Sequence, residues 1–488
     1  MIKQLIIDNF RSIEHEEIDF GQLNAFIGSN NAGKSNIMDA LNLLLGATFP
    51  SIRSFDNKDF YDYDATHKIR IQVNFNTSLA CDPRVCGFVL TYDGKECDYF
   101  SIDGAGDIVT YSGGREVRVS NAMREEVTLM YLGLDRQASQ QIRATSWTLY
   151  GKLLKFIEKS IEENKKNNFK DGLNNSYKSH IYPDIQKMEE ILKKHVKEQM
   201  GVDLQLRLSI MDPIETINNL RPYLKEANTT KEFDAESMGA GTQSALAVAI
   251  AQAYGEIVKK PLVIAIEEPE LYLHPHGCRH FYKLLKNLAE NGVQVIFTTH
   301  ERCFVDISNF NSIHLVRKEA NKTRVYSGIG KTISAHDEIK RASKFDDSIN
   351  EVFFAHNVIL VEGTPDKIAC QLALEKLGLE LDRDSISVTE CGSNTGVKPI
   401  GEVLKLFNVP VIALVDEDPG NPSSTKINAE LITTLGKDNV FFTSPKLESL
   451  FGLSKKLSKA DALLTFPSWF SKNDPPKVYQ DIKNKIST

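Results

Sequence analysis

At 488 residues the chain is too long for one ordinary core, so roughly two to four domains are expected. With 41% hydrophobic and 25% charged residues it has a globular composition, which excludes collagen-like and disordered classes. A formal charge of -7 excludes a basic field over the whole molecule, so any nucleic-acid contact needs a local basic surface or metal ions offsetting clustered carboxylates.

No apolar run reaches the roughly 20 residues that span a bilayer, so no membrane partner is expected. The segment Met1 to Asp8 reads as a strand rather than a signal peptide, which makes a cytoplasmic location the expectation. Seven scattered cysteines without a CxxC pair argue against a disulfide framework or a zinc ribbon.

The first 45 residues read strand, turn, strand, glycine-rich loop and helix. Leu23 to Ile27 is the apolar strand entering Gly28-Ser29-Asn30-Asn31-Ala32-Gly33-Lys34-Ser35, which fits the P-loop pattern GxxxxGK[ST]. Glycines let the backbone close round phosphates so that amide hydrogens point inward, and the following helix adds its positive end. Lys34 would reach the β- and γ-phosphates of ATP, and the Ser35 hydroxyl would bind Mg²⁺. Lys68 to Asn76 alternates with period two, and further short runs to about Ser112 are split by Asp-Gly and Gly-Gly turns, so an antiparallel subsheet is expected.

Between about Trp147 and Val196 apolar residues take helical spacing on either side of a polar stretch, Glu162 to Ser179. This predicts a helical hairpin with an exposed tip over 146–200, either packed on its own domain or serving as a subunit-contact arm. The absence of a long heptad array excludes an extended coiled coil.

Ser237-Met238-Gly239-Ala240-Gly241-Thr242-Gln243 opens the next helix. Leu262 to Pro269 is a buried strand ending in two carboxylates, with Glu267 assisting Mg²⁺ through water and Glu268 polarising the attacking water. Glu270 to Pro275 follows, and a strand then ends in Thr298-Thr299-His300. His274, His276, Cys278 and His280 look like metal ligands, but they occupy a loop and helix start with no second ligand group, so a structural role is expected.

A second βα pattern begins at Val358, after a weakly periodic connection, which places the domain boundary near Ser343. Val358 to Val361 leads into Glu362-Gly363 with Asp366 in the first helical turn, and Val411 to Val415 leads into Asp416-Glu417-Asp418. Period two puts Asp416 and Asp418 on one side while the chain stays extended. Carboxylates about 4 Å apart repel by roughly 4 kcal/mol at an effective dielectric near 20, so the cluster calls for hard cations, Mg²⁺ or Mn²⁺.

Five elements in order resemble the ABC ATPase head. Ser237, Gly239 and Gly241 match its signature, which contacts the γ-phosphate held by the opposite subunit, and His300 matches its switch histidine. Glu267 departs from the usual aspartate, and Gln72, Gln137 and Gln140 all remain candidates for the Q-loop glutamine. EGxxD followed by DxD resembles Toprim, which carries over Glu362, Asp366, Asp416 and Asp418, with Glu448 as a further ligand and Lys472 or Lys477 as the late lysine. Gly392-Ser393-Asn394, expected beside the site, departs from the glycine-lysine form. Toprim topoisomerases need a tyrosine nucleophile on another domain, and Toprim primases often carry a zinc ribbon.

The two parts in series resemble the OLD (overcoming lysogenisation defect) family of ATP-regulated endonucleases. The resemblance implies an α/β protein: an ABC ATPase head at 1–342, with a mixed sheet round a P-loop core and a helical insertion, then a Rossmann-like Toprim domain at 343–488. It further implies a homodimer or higher oligomer, ATP with one Mg²⁺, about two ions at the Toprim site, DNA as substrate, and antiphage defence alongside a helicase or a retron reverse transcriptase. The alternative is an ATP-switched DNA clamp whose nuclease is weak or silenced by a partner.

Overall fold

The computed structural model describes residues 1–133, 142–145, 148–203, 219–225, 230–258, 261–271, 273–333 and 347–487. Trp147, Gln137, Gln140, Tyr272 and the expected boundary near Ser343 lie outside them. The chain forms two compact units, residues 1–131 with 263–488, and residues 132–262.

In the first unit the expected antiparallel sheet runs in the order Ile13–Asp19, Ile2–Phe10, Ile69–Phe75, Gly87–Tyr92, Cys97–Ile102. Leu5, Ile7, Ile71, Val73, Phe88 and Leu90 from this sheet share a core with Ile37, Leu41 and Leu44 of the helix Lys34–Leu45. The helix following the P-loop is thereby pinned along its apolar face.

A six-stranded sheet runs in the order Lys322–Ser327, Ile313–Glu319, Leu23–Ile27, Gln294–Thr299, Leu262–Glu267, Thr128–Leu132. Its four central strands are parallel. Three of them, Leu23–Ile27, Gln294–Thr299 and Leu262–Glu267, are buried at every residue, as continuous apolar strands with both faces covered must be. Glu267 pairs with Thr298, and Thr299 with Ile27, so the P-loop, the Thr-Thr-His run and the acidic pair leave one carboxyl edge side by side.

A four-stranded parallel sheet carries the C-terminal motifs in the order Ile386–Glu390, Asn357–Val361, Val411–Asp416, Val440–Thr443. Strand order reverses between Asn357–Val361 and Val411–Asp416, which is where open α/β sheets form their crevices. Both strands end there in carboxylates.

The segment before this sheet is joined to the six-stranded layer. Asn350 Nδ2 donates to the Val305 carbonyl at 2.7 Å, and Arg317 Nη2 donates to the Ala355 carbonyl at 2.9 Å. Phe353 meets Phe407 edge to face at 5.3 Å.

In the second unit the helices Leu149–Ser160, Glu163–His180 and Tyr182–Met200 occupy the expected helical region. The polar stretch Glu162 to Ser179, expected as a tip, is itself mostly helix. It contains no proline, and Lys166 holds Glu158 at 2.6 Å across its start. The helix Leu149–Ser160 packs on Ala240–Val258, and a two-stranded hairpin joins Tyr223–Lys225 to Glu232–Asp234. No described helix is long and apolar enough to cross a membrane.

Candidate active sites

The P-loop turn depends on two glycines. Gly28 has φ +149° and Gly33 φ +109°. A Cβ at Gly28 would lie 2.1 Å from the Val316 carbonyl oxygen, and one at Gly33 would lie 2.1 Å from Thr323 Oγ1. Thr323 in turn donates to the Ala32 carbonyl at 2.8 Å, backing the loop from the sheet edge. Asn30, Asn31 and Ser35 are exposed on the open side of the turn, while Ala32 and Lys34 are buried. Lys34 Nζ donates to the carbonyls of Gly28 and Ser29, both at 2.9 Å. Burial lowers its pKa to about 8, against the opposing pull of Glu268 and Glu270. A buried ammonium with only carbonyl partners is a receptor for phosphate charge.

Ser35 Oγ donates to Glu267 Oε2 at 2.7 Å, so the two expected metal-side residues meet across the sheet. Burial raises the Glu267 pKa, and its bonds from Tyr131 and Ser35 oppose that rise. Glu268 has left the strand conformation, with φ +43°, and its amide donates to the Thr298 carbonyl at 2.9 Å. This turn swings its carboxylate to His300, whose Nε2 lies 3.3 Å from Oε1. Burial and then the Lys34 charge lower the His300 pKa, while Glu268 raises it. Glu270 Oε1 accepts from the His300 amide at 2.7 Å and from Thr299 Oγ1 at 2.9 Å, which fixes the switch backbone.

Two residues here carried no motif signal. Tyr131 donates its hydroxyl to Glu267 and to Asp39, the latter at 3.3 Å. Arg11 bridges Asp39 and Asp59. Strand alternation gives the face of Tyr131 but nothing in the sequence gives its partner.

Gln72, the described Q-loop candidate, is buried in the antiparallel sheet and donates to Asn74 at 2.9 Å, an arrangement that makes it part of a strand-surface ladder. His274 caps its helix by accepting from the Gly277 amide at 2.9 Å, and His276 pairs with Arg279 at 2.8 Å, so both histidines have local structural work. In the second unit Ser237 donates to the Asp234 carbonyl at 2.7 Å. Gln243 Nε2 donates to the carbonyls of Glu236 and Met238 at 2.8 and 2.9 Å, closing the turn. Gly239 and Gly241 then bracket the start of the helix Ala240–Val258.

At the C-terminal sheet, Glu362 Oε1 accepts from the Asp416 amide at 2.9 Å. Asp416 Oδ1 accepts from Thr443 Oγ1 and from the Leu447 amide at 2.8 Å. Burial, then the charges of Asp416 and Glu362, push the Asp366 pKa up to about 7. Glu362 is raised by burial too, with Lys456 opposing. The strand ends at Asp416 and Asp418 turns to φ +38°, so period-two alternation does not govern their relation. Asp418 pairs with Lys446 at 3.2 Å. Glu448 acts on Asp366 through its charge and accepts from the Leu457 amide at 3.3 Å. Asn394 reaches Asn428 at 3.5 Å, and Asn428 donates to the Asp416 carbonyl at 3.0 Å, which brings the Gly392-Ser393-Asn394 turn beside the site as expected.

Lys472 and Lys477 are both exposed, one after the helix Lys459–Phe470 and one opening the last helix. Neither is among the main charges acting on Glu362, Asp366 or Asp418, where Lys456 and Lys446 stand instead. Lys446 lies two positions before the predicted ligand Glu448 and meets Asp418.

Among the described residues no three His, Cys, Asp or Glu side chains form a ready-made metal cage. Backbone amides, Thr443 and Lys446 engage several of the carboxylate oxygens. The donor set itself is all hard oxygen, which suits Mg²⁺ or Mn²⁺. Tyr479 Oη is wholly buried without a hydrogen-bond partner and feels the charges of Asp366 and Asp416.

A P-loop, acidic strand and switch histidine on one edge, joined in one chain to an acidic parallel sheet, define a P-loop ATPase coupled to a Toprim domain. Residues 1–102 and 110–305 match the AAA ATPase domain family, and residues 353–418 match the Toprim domain of overcoming lysogenization defect protein-like proteins. An OLD nuclease of Thermus scotoductus is 29% identical over 94% of this chain and 93% of its own length. The Old nuclease of Escherichia phage P2 is 24% identical, over 84% of this chain and 76% of its own. Endonuclease GajA of Bacillus cereus is 22% identical, over 93% of this chain and 78% of its own. The chain belongs to the OLD nuclease family and is, by its two domains, an ATPase and an endonuclease.

Proposed function

We propose that the chain is a divalent-metal-dependent DNA endonuclease whose Toprim edge is controlled by ATP-driven pairing of two ATPase heads, and that it serves in antiphage defence. The observation that carries this reading is the placing of Glu362, Asp366 and Asp416 at the switch point of a parallel sheet, where Glu362 accepts from the Asp416 amide and Asp366 is buried within reach of both charges.

On the ATP side, Lys34 would take the β- and γ-phosphates, Ser35 would bind Mg²⁺ with Glu267 assisting through water, and Glu268 would orient the attacking water. His300, tied to Glu268, reads the γ-phosphate. Ser237, Gly239 and Gly241 complete the P-loop of a second copy, so a homodimer is the minimal working unit. Its higher assembly and its accompanying helicase or reverse transcriptase belong to the same reading as proposals.

On the nuclease side, Glu362, Asp366, Asp416, Asp418 and Glu448 would hold one or two divalent ions. When bound, such ions supply a water of lowered pKa and neutralise the phosphodiester. Asp366 gives up its proton as they bind. The Leu447 amide and Thr443 keep Asp416 oriented. Lys446 or Lys456 takes the role assigned earlier to Lys472 or Lys477, the offsetting of negative charge on the scissile group. The domain division at 342/343 is retained as part of this reading.

One observation favours a second reading, a clamp with its nuclease held silent. Asp418 is already paired with Lys446, and Asp416 is engaged by Thr443 and an amide. Nicking of supercoiled plasmid with Mg²⁺ or Mn²⁺, with and without ATP, separates the two. Cutting by wild type that changes sign or rate in a Glu268→Gln variant, which holds ATP unhydrolysed, supports the gated nuclease. Cutting by neither protein under any metal supports the silent clamp.

A further inference from the structure

Glu267 ends a buried strand on a side chain with two methylenes, so its carboxylate is fixed only by the partners it meets. In the structure its two oxygens are divided: Oε2 accepts from Ser35 Oγ at 2.7 Å, and Oε1 accepts from the Tyr131 hydroxyl. Tyr131 comes from the strand Thr128–Leu132, which neighbours Leu262–Glu267 in the sheet. Its ring is half-buried and Glu267 is only 4% exposed, so the bond lies away from water. Burial and the Glu267 charge push the phenol far above its ordinary value, which keeps it a donor. The same hydroxyl is 3.3 Å from Asp39 Oδ1, and Asp39 is held by Arg11.

We propose that Tyr131 is a positioning residue of the ATPase site, whose hydroxyl holds the long Glu267 side chain in the orientation that Ser35 and the nucleotide's magnesium require. The proposal rests on the reading of Glu267 and Ser35 as the metal-side pair. Tyr131 acts through Glu267, its hydrogen-bond partner. Partners that orient a metal-side ligand commonly change metal affinity by about 10- to 100-fold when removed.

The test reads Mg²⁺ dependence of binding, not turnover. Full-length protein is titrated with Mg²⁺ in the presence of a fluorescent, non-hydrolysable ATP analogue. Tyr131→Phe, which removes one oxygen and keeps the ring, should raise the Mg²⁺ concentration for half-maximal binding about 10-fold or more and leave metal-free analogue binding unchanged. In a Glu267→Asp background, where the carboxylate no longer reaches the hydroxyl, adding Tyr131→Phe should change it less than about twofold, a coupling that a merely structural tyrosine would not show. A Tyr131→Phe protein within twofold of wild type, or an equal shift in both backgrounds, overturns the proposal. Asp39→Asn is the second variant and serves if the Phe variant folds poorly. A Mg²⁺ requirement within about threefold of wild type is expected if the hydroxyl serves Glu267, and a rise like that predicted for Tyr131→Phe shows that it serves Asp39. Glu267→Gln separates the two levels. Should it leave Mg²⁺-dependent binding intact, the assignment of Glu267 itself fails. Should it abolish that binding while Tyr131→Phe does nothing, only the tyrosine proposal fails.

Discussion

Asp366 is dehydrated among like charges, and its pKa of about 7 has a definite sign in pH dependence. An ordinary unfolded aspartate titrates near about 4, so between about pH 4 and 7 the metal-free fold holds a proton the unfolded chain has lost. Its contribution to stability therefore falls as pH rises through that window. Binding a divalent ion must expel the same proton. Calorimetry in buffers of different ionisation heat should show proton release on Mn²⁺ uptake at about pH 6 and little at about pH 8.5, and Asp366→Asn should remove the difference. Equal release at both pH values would contradict the assignment. Lys34 makes the second residue-scale prediction. Its ammonium is buried against two carbonyls, and Lys34→Ala should abolish ATP binding as measured by equilibrium titration, whereas undiminished affinity would overturn the P-loop assignment.

At the scale of elements, the P-loop turn is the most sharply constrained piece. Gly33→Ala would place a methyl 2.1 Å from Thr323 Oγ1 at φ +109°. Strain of this kind costs about 1–3 kcal/mol, so the variant should lose stability by that order in urea unfolding and lose nucleotide affinity with it. The placing of both motif sets at sheet edges was legible in the sequence because each motif ends a continuous apolar strand, and such strands deliver their last residue to a sheet edge whatever surrounds them. Three things were not legible. Glu162 to Ser179 looked like a tip because its Lys and Asn content hides helical periodicity, yet no breaker interrupts it. The DxD pair looked like alternating strand positions because the end of the strand at Asp416, and the turn at Asp418, depend on the neighbouring strand Val440–Thr443. Tyr131 and Lys446 gain meaning only from partners 136 and 28 positions away, Glu267 and Asp418 respectively, and pattern reading has no access to such pairs.

At the scale of the whole molecule, the ATPase and Toprim regions fall within one compact unit. Their seam holds Asn350, bonded to the Ile307 amide and the Val305 carbonyl, and Phe353, which lines one cavity with Val316 and Arg317. Phe353 is 1% exposed, so Phe353→Ala should destabilise the protein by about 3–5 kcal/mol in denaturant unfolding, while a loss under about 1 kcal/mol would mean the two regions are only loosely joined. Arg317, on the strand Ile313–Glu319 that borders the P-loop strand, donates to the Ala355 carbonyl just before the Toprim sheet. The account as a whole rests on the acidic edge being a nuclease centre. The most direct measurement is metal-dependent cutting of supercoiled plasmid by wild type and by Asp416→Ala, with ATP binding followed in parallel. The account predicts that the variant binds ATP as wild type does and no longer cuts. Full cutting by Asp416→Ala would contradict it.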